Sequence, residues 1–471
     1  MQFAFPNSRY TGIYNFFVPV LLIKDPELVK QIMVKNFEHF VDHRQVIPEE
    51  CEPLWGKNLF SLKGDRWRSM RTTLSPSFTS SKMKGMFEFM SECATNFVRH
   101  FESESKTITV ELKDVFTRYT NDVIASVAFG LSCDSLKERD NEFYRMGKLA
   151  TNLTGFWFNI AILSFMISPT LSKILGVSFF DKKVTKFFRR LVKENIESRE
   201  KNRIVRADMI HLLMEARKGK LKHDENDEHE SEGFAVVQEH HSHKNKLDNE
   251  FLTDDDLTAQ ALVFFFAGFE SVSNLMCFTS YELAIDPIIQ KKLQDEIDIT
   301  LEECKGRVTY DALMKMEYMD MVVSEGLRKW PAAVATDRVC VKPYTIEPVK
   351  AGEKPLHIKK GEYVWVSMYA MHRDENLYPE PERFNPERFS HENKSSILPY
   401  TYLPFGLGPR ACIGNRFALL ETKILLFHLL SKFDIVVVEK SVVPLKLSRK
   451  QFNPAAEGGF WFGLKPRNSE T

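Results

Sequence analysis

The sequence predicts a mainly α-helical chain with small β-sheets, and three stretches carry that expectation. After Gly414 the apolar residues Phe417, Leu420, Ile424 and Phe427 recur at helical spacing. Helical patterning also runs through residues 83–150, which include VFTRYTNDVIASVAFG. Beyond Thr253 the stretch ALVFFFAGFESVSNLMCFTSYELA is apolar on every face, as helices at the centre of a large domain are. Of the 471 residues 43% are hydrophobic and 38 are phenylalanine, which supplies a large core and an apolar cavity and disfavours polar or ionic ligands. Lys+Arg and Asp+Glu both number 64, so the chain lacks the basic excess of a nucleic-acid binder. Seven cysteines, an odd number without a C-x-x-C pair, suit a reducing compartment and not a disulfide or zinc framework.

Taken in order, the chain opens with a short strand, VPVLLI, followed by a helix whose start is marked by Asp25-Pro26. A loop with Pro48, Pro53 and Trp55 comes next. In GDRWRSMRTTLSPSF, Trp67 and Arg71 are four apart and share a helix face. Residues 83–150 read as core without chemistry. Residues 152–180 are aromatic and apolar but interrupted by Asn159, Ser164 and Pro169, so a core helix pair is the plain reading. Residues 218–250 are charged and nearly free of large apolar side chains, which predicts a solvated, flexible loop. Its five histidines (His223, His229, His240, His241, His243) invite a metal, but disorder gives them no fixed geometry.

Order returns at Thr253, whose hydroxyl can cap a helix with Asp254, Asp255 and Asp256 in its first turn. Within that helix Ala267, Gly268, Phe269, Glu270 and Ser271 stand together. Gly268 costs about 1 kcal/mol relative to alanine and so has a structural reason. A local opening of the helix there would admit a small ligand and water, with Glu270 and Ser271 as an acid and a hydroxyl for proton relay. A plain packing glycine beside an exposed glutamate is the alternative. Glu325 and Arg328 are three apart on one helical face. No stretch reads as a spanning helix: YNFFVPVLLI is short and carries Pro19, and ALVFFFAGF stops at Glu270.

Residues 404–421, PFGLGPRACIGNRFALLE, hold Cys412 between a glycine-punctuated turn and a helix start. Gly406 and Gly408 permit positive φ, so the loop can fold tightly. The helix dipole and Arg410 favour a thiolate at Cys412. The pattern F-x-x-G-x-R-x-C-x-G, from Phe405 to Gly414, resembles the haem-binding loop of the cytochrome P450 superfamily. The wording LSPSFTSSKMK and PFGLGPRACIGNRFAL is most similar to insect microsomal members that oxidise xenobiotics.

The resemblance implies one cytochrome P450 domain over residues 1–471, a triangular helical domain with a β-rich lobe. Cys412 would be the axial ligand of haem iron in a b-type haem (heme b). Trp67, Arg71, Arg338 and Arg410 would hold the propionates, with Phe405 also lining the cofactor. AGFES matches the family's A-G-x-[D/E]-T except that Ser271 replaces threonine, which keeps the hydroxyl but loses the χ1 stiffness, so monooxygenase chemistry with looser coupling of oxygen use to product is the expectation. Glu325 and Arg328 match E-x-x-R, and Arg388 in NPERF would complete a buried ionic triad. The loop around Trp55 would wall the substrate pocket, and residues 152–180 would form a mobile cover touching the membrane. Phe60, Phe266, Ala267 and Ala333 are pocket candidates by position.

The implied activity is a monooxygenase inserting one oxygen atom into a small apolar substrate. Its two electrons would come from NADPH-cytochrome P450 reductase, with cytochrome b5 as a further partner and NADPH used only indirectly. The location implied is the cytoplasmic face of the endoplasmic reticulum membrane. Microsomal members begin with a hydrophobic anchor and this chain starts inside what resembles the first sheet, so a truncated N-terminus is expected. A haem-thiolate isomerase or dehydratase would share Cys412, but Glu270 and Ser271 argue against it; a haem-binding protein without turnover would lack substrate-dependent NADPH consumption.

Overall fold

The helix expected after Thr253 is the axis of the molecule. In the computed structural model, which describes residues 8–103, 105–152, 155–206, 208–218, 233–237, 252–449 and 453–467, it spans Asp254–Ile285. Its start is a capping box: the Thr253 hydroxyl accepts from the Asp256 N–H, and the Asp256 carboxylate accepts from the Thr253 N–H. Around it pack Leu112–Phe129, Glu142–Thr151, Lys182–Asn202, Glu317–Lys329 and Asn415–Leu430. Among the described residues this is the one helix long and apolar enough to cross a membrane, and 56% of its apolar window is buried in protein. It is a core helix.

A β-rich lobe sits beside the helices. Four strands run in the order Tyr10–Asn15, Val18–Ile23, Tyr363–Val366, Thr336–Val339, with the middle pair parallel and Val20 opposite Tyr363. The lobe has its own core of Ile23, Leu28, Val29, Ile32, Val364 and Val366. Asp25 caps the helix Pro26–Lys30 as its position before proline predicts, accepting from the Leu28 N–H at 2.8 Å. A second sheet joins Ile108–Glu111, Trp461–Pro466 and Phe433–Val436, and a hairpin pairs Tyr344–Ile346 with Leu356–Ile358.

Three expectations change. The helical run over 83–150 is broken by the strand Ile108–Glu111, where Ile108, Thr109 and Val110 are β-branched and pair with Leu464, Gly463 and Phe462. Residues 152–180 form a helix pair, Phe156–Ile167 and Pro169–Ile174, but much of its apolar surface faces outward instead of the core. The charged 218–250 stretch is not solvated throughout: residues 233–237 pack onto the body, with Ala235 buried. His223, His229, His240, His241 and His243 lie outside the described residues.

Candidate active site

Cys412 is the only exposed one of the seven cysteines, all of which are described. Burial pushes the thiols of Cys93 and Cys277 up, which suits inert core positions. The turn that presents Cys412 is closed by its own N–H, which donates to the Phe405 carbonyl at 2.9 Å. Gly406 and Gly408 adopt φ of 75° and 72°, as their left-handed turn requires. Gly408 also touches the turn Gln31–Lys35 so closely that a Cβ would stand 2.0 Å from the Met33 carbonyl oxygen. Arg71, one helix away, donates to the Ala411 carbonyl at 2.9 Å. The Asn415 amide donates to the Cys412 carbonyl at 2.8 Å as the helix Asn415–Leu430 begins.

The arginines expected to hold an anion converge near this loop. Arg338 is fully buried, its cation is disfavoured by burial, and its Nε has no hydrogen-bond partner among the described residues. Arg410 lies over the Trp67 ring at 4.0 Å. Its guanidinium donates to the carbonyls of Val41, Leu59, Phe60 and Leu62, so it pins the 41–62 loop, a task that spacing alone does not reveal. Burial, then the charge of Arg338, destabilises its protonated form. His43 lies in the same group, hydrogen-bonded to Asp337 at 2.9 Å and held down at about 4 by burial and then by Arg338. A buried cation with an unpartnered donor, as Arg338 is, calls for an anion. A haem propionate fits that demand, and the exposed Cys412 fits an iron ligand.

The expected opening in the central helix is absent: Asp254–Ile285 runs unbroken. Gly268 has the packing reason instead, since a Cβ there would meet the Ile124 Cδ1 at 3.0 Å. The Ser271 hydroxyl donates back to the Ala267 carbonyl, and Ala267 is itself exposed although most of the helix around it is buried. Glu270 is half-exposed and forms an ion pair with Lys113, 2.7 Å from Oε2 to Nζ. Lys113 also donates to the Ser273 hydroxyl at 2.7 Å. Lys113 lies in the segment read as core without chemistry, and nothing in its local sequence signals a partner 157 residues away.

Glu325, Arg328 and Arg388 do come together. Glu325 and Arg328 are fully buried and bidentate, at 2.7 and 2.9 Å, and Arg388 Nε lies 3.5 Å from Glu325. Sequence reasoning missed His372, which links this network to the cysteine loop. Its Nδ1 meets the Arg328 carbonyl at 3.1 Å, and its Nε2 accepts from the Leu403 N–H at 2.8 Å. Those partners require a neutral ring, and burial, then the Arg328 charge, lowers its pKa to about 3.

Of the pocket candidates, Phe60 and Phe266 both pack on Trp55, with ring centroids at 6.5 and 5.3 Å. Phe179 and Phe180 complete an aromatic cluster on Trp55 at 4.9 and 6.0 Å. Ala333 instead packs against the core of the β-rich lobe.

Comparison with known proteins agrees with this geometry. A family model for cytochrome P450 matches residues 8–458. The chain is 50% identical over 478 residues to cytochrome P450 9e2 of Blattella germanica, covering 98% of this chain and 86% of that protein. It is 41% identical to the probable cytochrome P450 9f2 of Drosophila melanogaster, covering 98% and 87%. A vertebrate relative, cytochrome P450 3A12 of Canis lupus familiaris, is 39% identical over 94% of this chain and 82% of its own length. An exposed cysteine on a clamped glycine turn, beside a buried Arg338 whose Nε has no partner among the described residues, is what such kinship requires, and the chain belongs to the cytochrome P450 family.

Proposed function

We propose that this haem-thiolate monooxygenase oxidises small apolar organic compounds held against the aromatic cluster of Trp55, Phe60, Phe179 and Phe266. The observation that carries the reading is Cys412, exposed on a turn clamped from Phe405, Arg71 and Asn415. Bound haem supplies the centre that activates dioxygen and passes one oxygen atom to the substrate. Cys412 is the residue we assign as the thiolate that would hold its iron. Arg338, Arg71 and Trp67 are assigned to the propionates, while Arg410 ties down the loop beside them. Residues 1–471 are read as a single domain, which the contact of the Gln31–Lys35 segment of the β-rich lobe with the cysteine turn at Gly408 supports.

Proton supply is assigned to Glu270 and Ser271. Glu270 is open to solvent on one side and held by Lys113 on the other, so its carboxylate can exchange with bulk water while keeping its place. The Ser271 hydroxyl donates to the Ala267 carbonyl and keeps lone pairs to accept a proton-bearing neighbour. Electrons arrive from NADPH through a reductase; NADPH-cytochrome P450 reductase, with cytochrome b5 as an accessory, is the partner we assign. The resemblance to microsomal members supports the endoplasmic reticulum, exposed Ile167, Leu171 and Ile174 support seating on its membrane, and the cytoplasmic face is the side we assign.

The test is a reduced, carbon-monoxide difference spectrum of the wild type beside Cys412→His, followed by NADPH consumption with reductase and an apolar probe. A red-shifted thiolate-type Soret band, lost in the variant, with substrate-dependent NADPH use and an oxygenated product, is the expected outcome. An imidazole-type band in the wild type, or NADPH use indifferent to the probe, overturns the reading.

A further inference from the structure

Within the charged stretch between the helices Met209–Arg217 and Asp254–Ile285, five residues, GFAVV at 233–237, are seated on the body as a built contact. The Phe234 ring packs on Phe389 and Tyr402, with centroids at 5.0 and 5.4 Å. Its N–H donates to Asp320 Oδ2 at 2.8 Å, and Asp320 Oδ1 accepts from the fully buried Lys423 at 2.8 Å. Gly233 lies flat against the same carboxylate; a Cβ there would stand 2.0 Å from Asp320 Oδ1. Ala235 is buried. A glycine with no room for a side chain, an aromatic anchor and a charge-assisted backbone bond define one seat and one register.

The far end of the segment reaches the cysteine loop. The Val237 N–H donates to Asn415 Oδ1 at 3.4 Å, and the same amide's Nδ2 donates to the Cys412 carbonyl at 2.8 Å. An amide that accepts on one side and donates on the other is fixed in orientation by the pair. Asn415 is buried, so it has no water to replace a lost partner.

We propose that residues 233–237 are a positioning clasp for Cys412, acting through Asn415 to hold the cysteine carbonyl and with it the direction of the sulfur. The proposal rests on the reading of Cys412 as the haem ligand. It gives this stretch a job in the reaction site although it is separated from Cys412 by 175 positions of sequence. Phe234 and Gly233 are positioning residues in this scheme, since both act on Cys412 only through the seat of the segment and Asn415.

The test uses the haem-loaded full chain with Phe234→Ala, Gly233→Ala, Asn415→Ala, Asn415→Asp and the double variant Phe234→Ala/Asn415→Ala. Two quantities are read: the rate at which the thiolate-type carbon-monoxide band converts to the thiol-type band, and hydrogen exchange of the amides over residues 411–418. Phe234→Ala and Gly233→Ala should each speed the conversion by about threefold or more and raise exchange in that loop. Asn415→Asp, which keeps the acceptor but loses the donor to Cys412, should behave like Asn415→Ala. The double variant should be no worse than Asn415→Ala, because both changes cut one chain. Phe234→Leu, keeping an apolar anchor, should restore most of the wild-type rate. The clasp is overturned if Phe234→Ala and Gly233→Ala lower the melting temperature but leave band conversion and loop exchange unchanged, or if the double variant is fully additive. A wild type without a thiolate-type band sinks the monooxygenase reading itself, and the clasp with it.

Discussion

At the scale of single residues, the two that matter most beyond Cys412 are ones whose partners lie far away in sequence. Lys113 holds the Glu270 carboxylate at 2.7 Å and the Ser273 hydroxyl at 2.7 Å, so it fixes the acid one turn from Ala267, which is exposed in the middle of the central helix. Replacing it by methionine keeps the length and removes the cation. We expect Lys113→Met to keep a thiolate-type band while product formed per NADPH consumed falls by about threefold to tenfold, a modest share of what general acid catalysis supplies. Unchanged coupling in that variant removes Lys113 from the proton path. His372 gives a pH signature. Its folded pKa of about 3 lies below the unfolded value near 6.5. A depressed histidine contributes stability that is fully present above about pH 6.5 and lost as pH falls toward about 3, because the unfolded chain takes up the proton first. Haem retention, followed by the Soret band, should therefore decline on acidification below about pH 6.5. His372→Ala should start lower at neutral pH and show a flatter acid slope; an identical slope would assign the acid sensitivity to other groups, His43 among them.

At the scale of elements, local chemistry was legible where the signal is local. The strand Val18–Ile23, the Asp25 and Thr253 caps, the helix after Gly414 and the tight turn around Gly406 and Gly408 follow from neighbouring residues, and all stand in the structure. The buried Glu325–Arg328 pair is geometrically what a spacing of three allows, but its burial came from kinship and not from spacing. What stayed hidden depends on contacts between distant segments. The strand Ile108–Glu111 exists because Trp461–Pro466 pairs with it, and Phe234 is ordered because Phe389, Tyr402 and Asp320 provide its seat. The cysteine turn offers a test of which glycine is needed for conformation and which for contact. At Gly406 an added Cβ meets nothing closer than 3.9 Å, so Gly406→Ala pays only the left-handed strain, about 1 to 2 kcal/mol. At Gly408 the same strain is joined by a clash with the Met33 backbone, which has no rotamer to give. Gly408→Ala should lose most bound haem and Gly406→Ala should retain it, measured as the haem-to-protein ratio after purification. Equal retention would mean that the Gln31–Lys35 turn moves freely and does not fix the loop.

At the scale of the whole molecule, the central helix and the ionic network make a rigid interior, while apolar side chains concentrate at two surface places. The hairpin of the strands Tyr10–Asn15 and Val18–Ile23 exposes Tyr14 and, in its turn, Phe16 and Phe17, the last at 89%. The helix pair Phe156–Ile167 and Pro169–Ile174 exposes Leu163, Ile167, Leu171 and Ile174, followed by Leu175. Water-facing groups of this size are costly to leave in solution and gain by entering the boundary of a lipid layer. A charged residue at such a point loses that gain and adds a desolvation cost, whereas the interior of the protein is little disturbed because these side chains are mostly exposed. Replacing Phe16 and Phe17 by serine, and separately Ile167 and Ile174 by aspartate, should each lower partition onto phosphatidylcholine vesicles by about tenfold or more, since each removed apolar side chain is worth about 1.5 to 3 kcal/mol when fully buried. Co-sedimentation with vesicles measures the partition, and the thiolate-type band shows that the fold is retained. If both pairs of variants sediment like the wild type with that band intact, the membrane is met elsewhere on the surface, and the helix pair is left as a cover whose apolar face serves substrate entry alone.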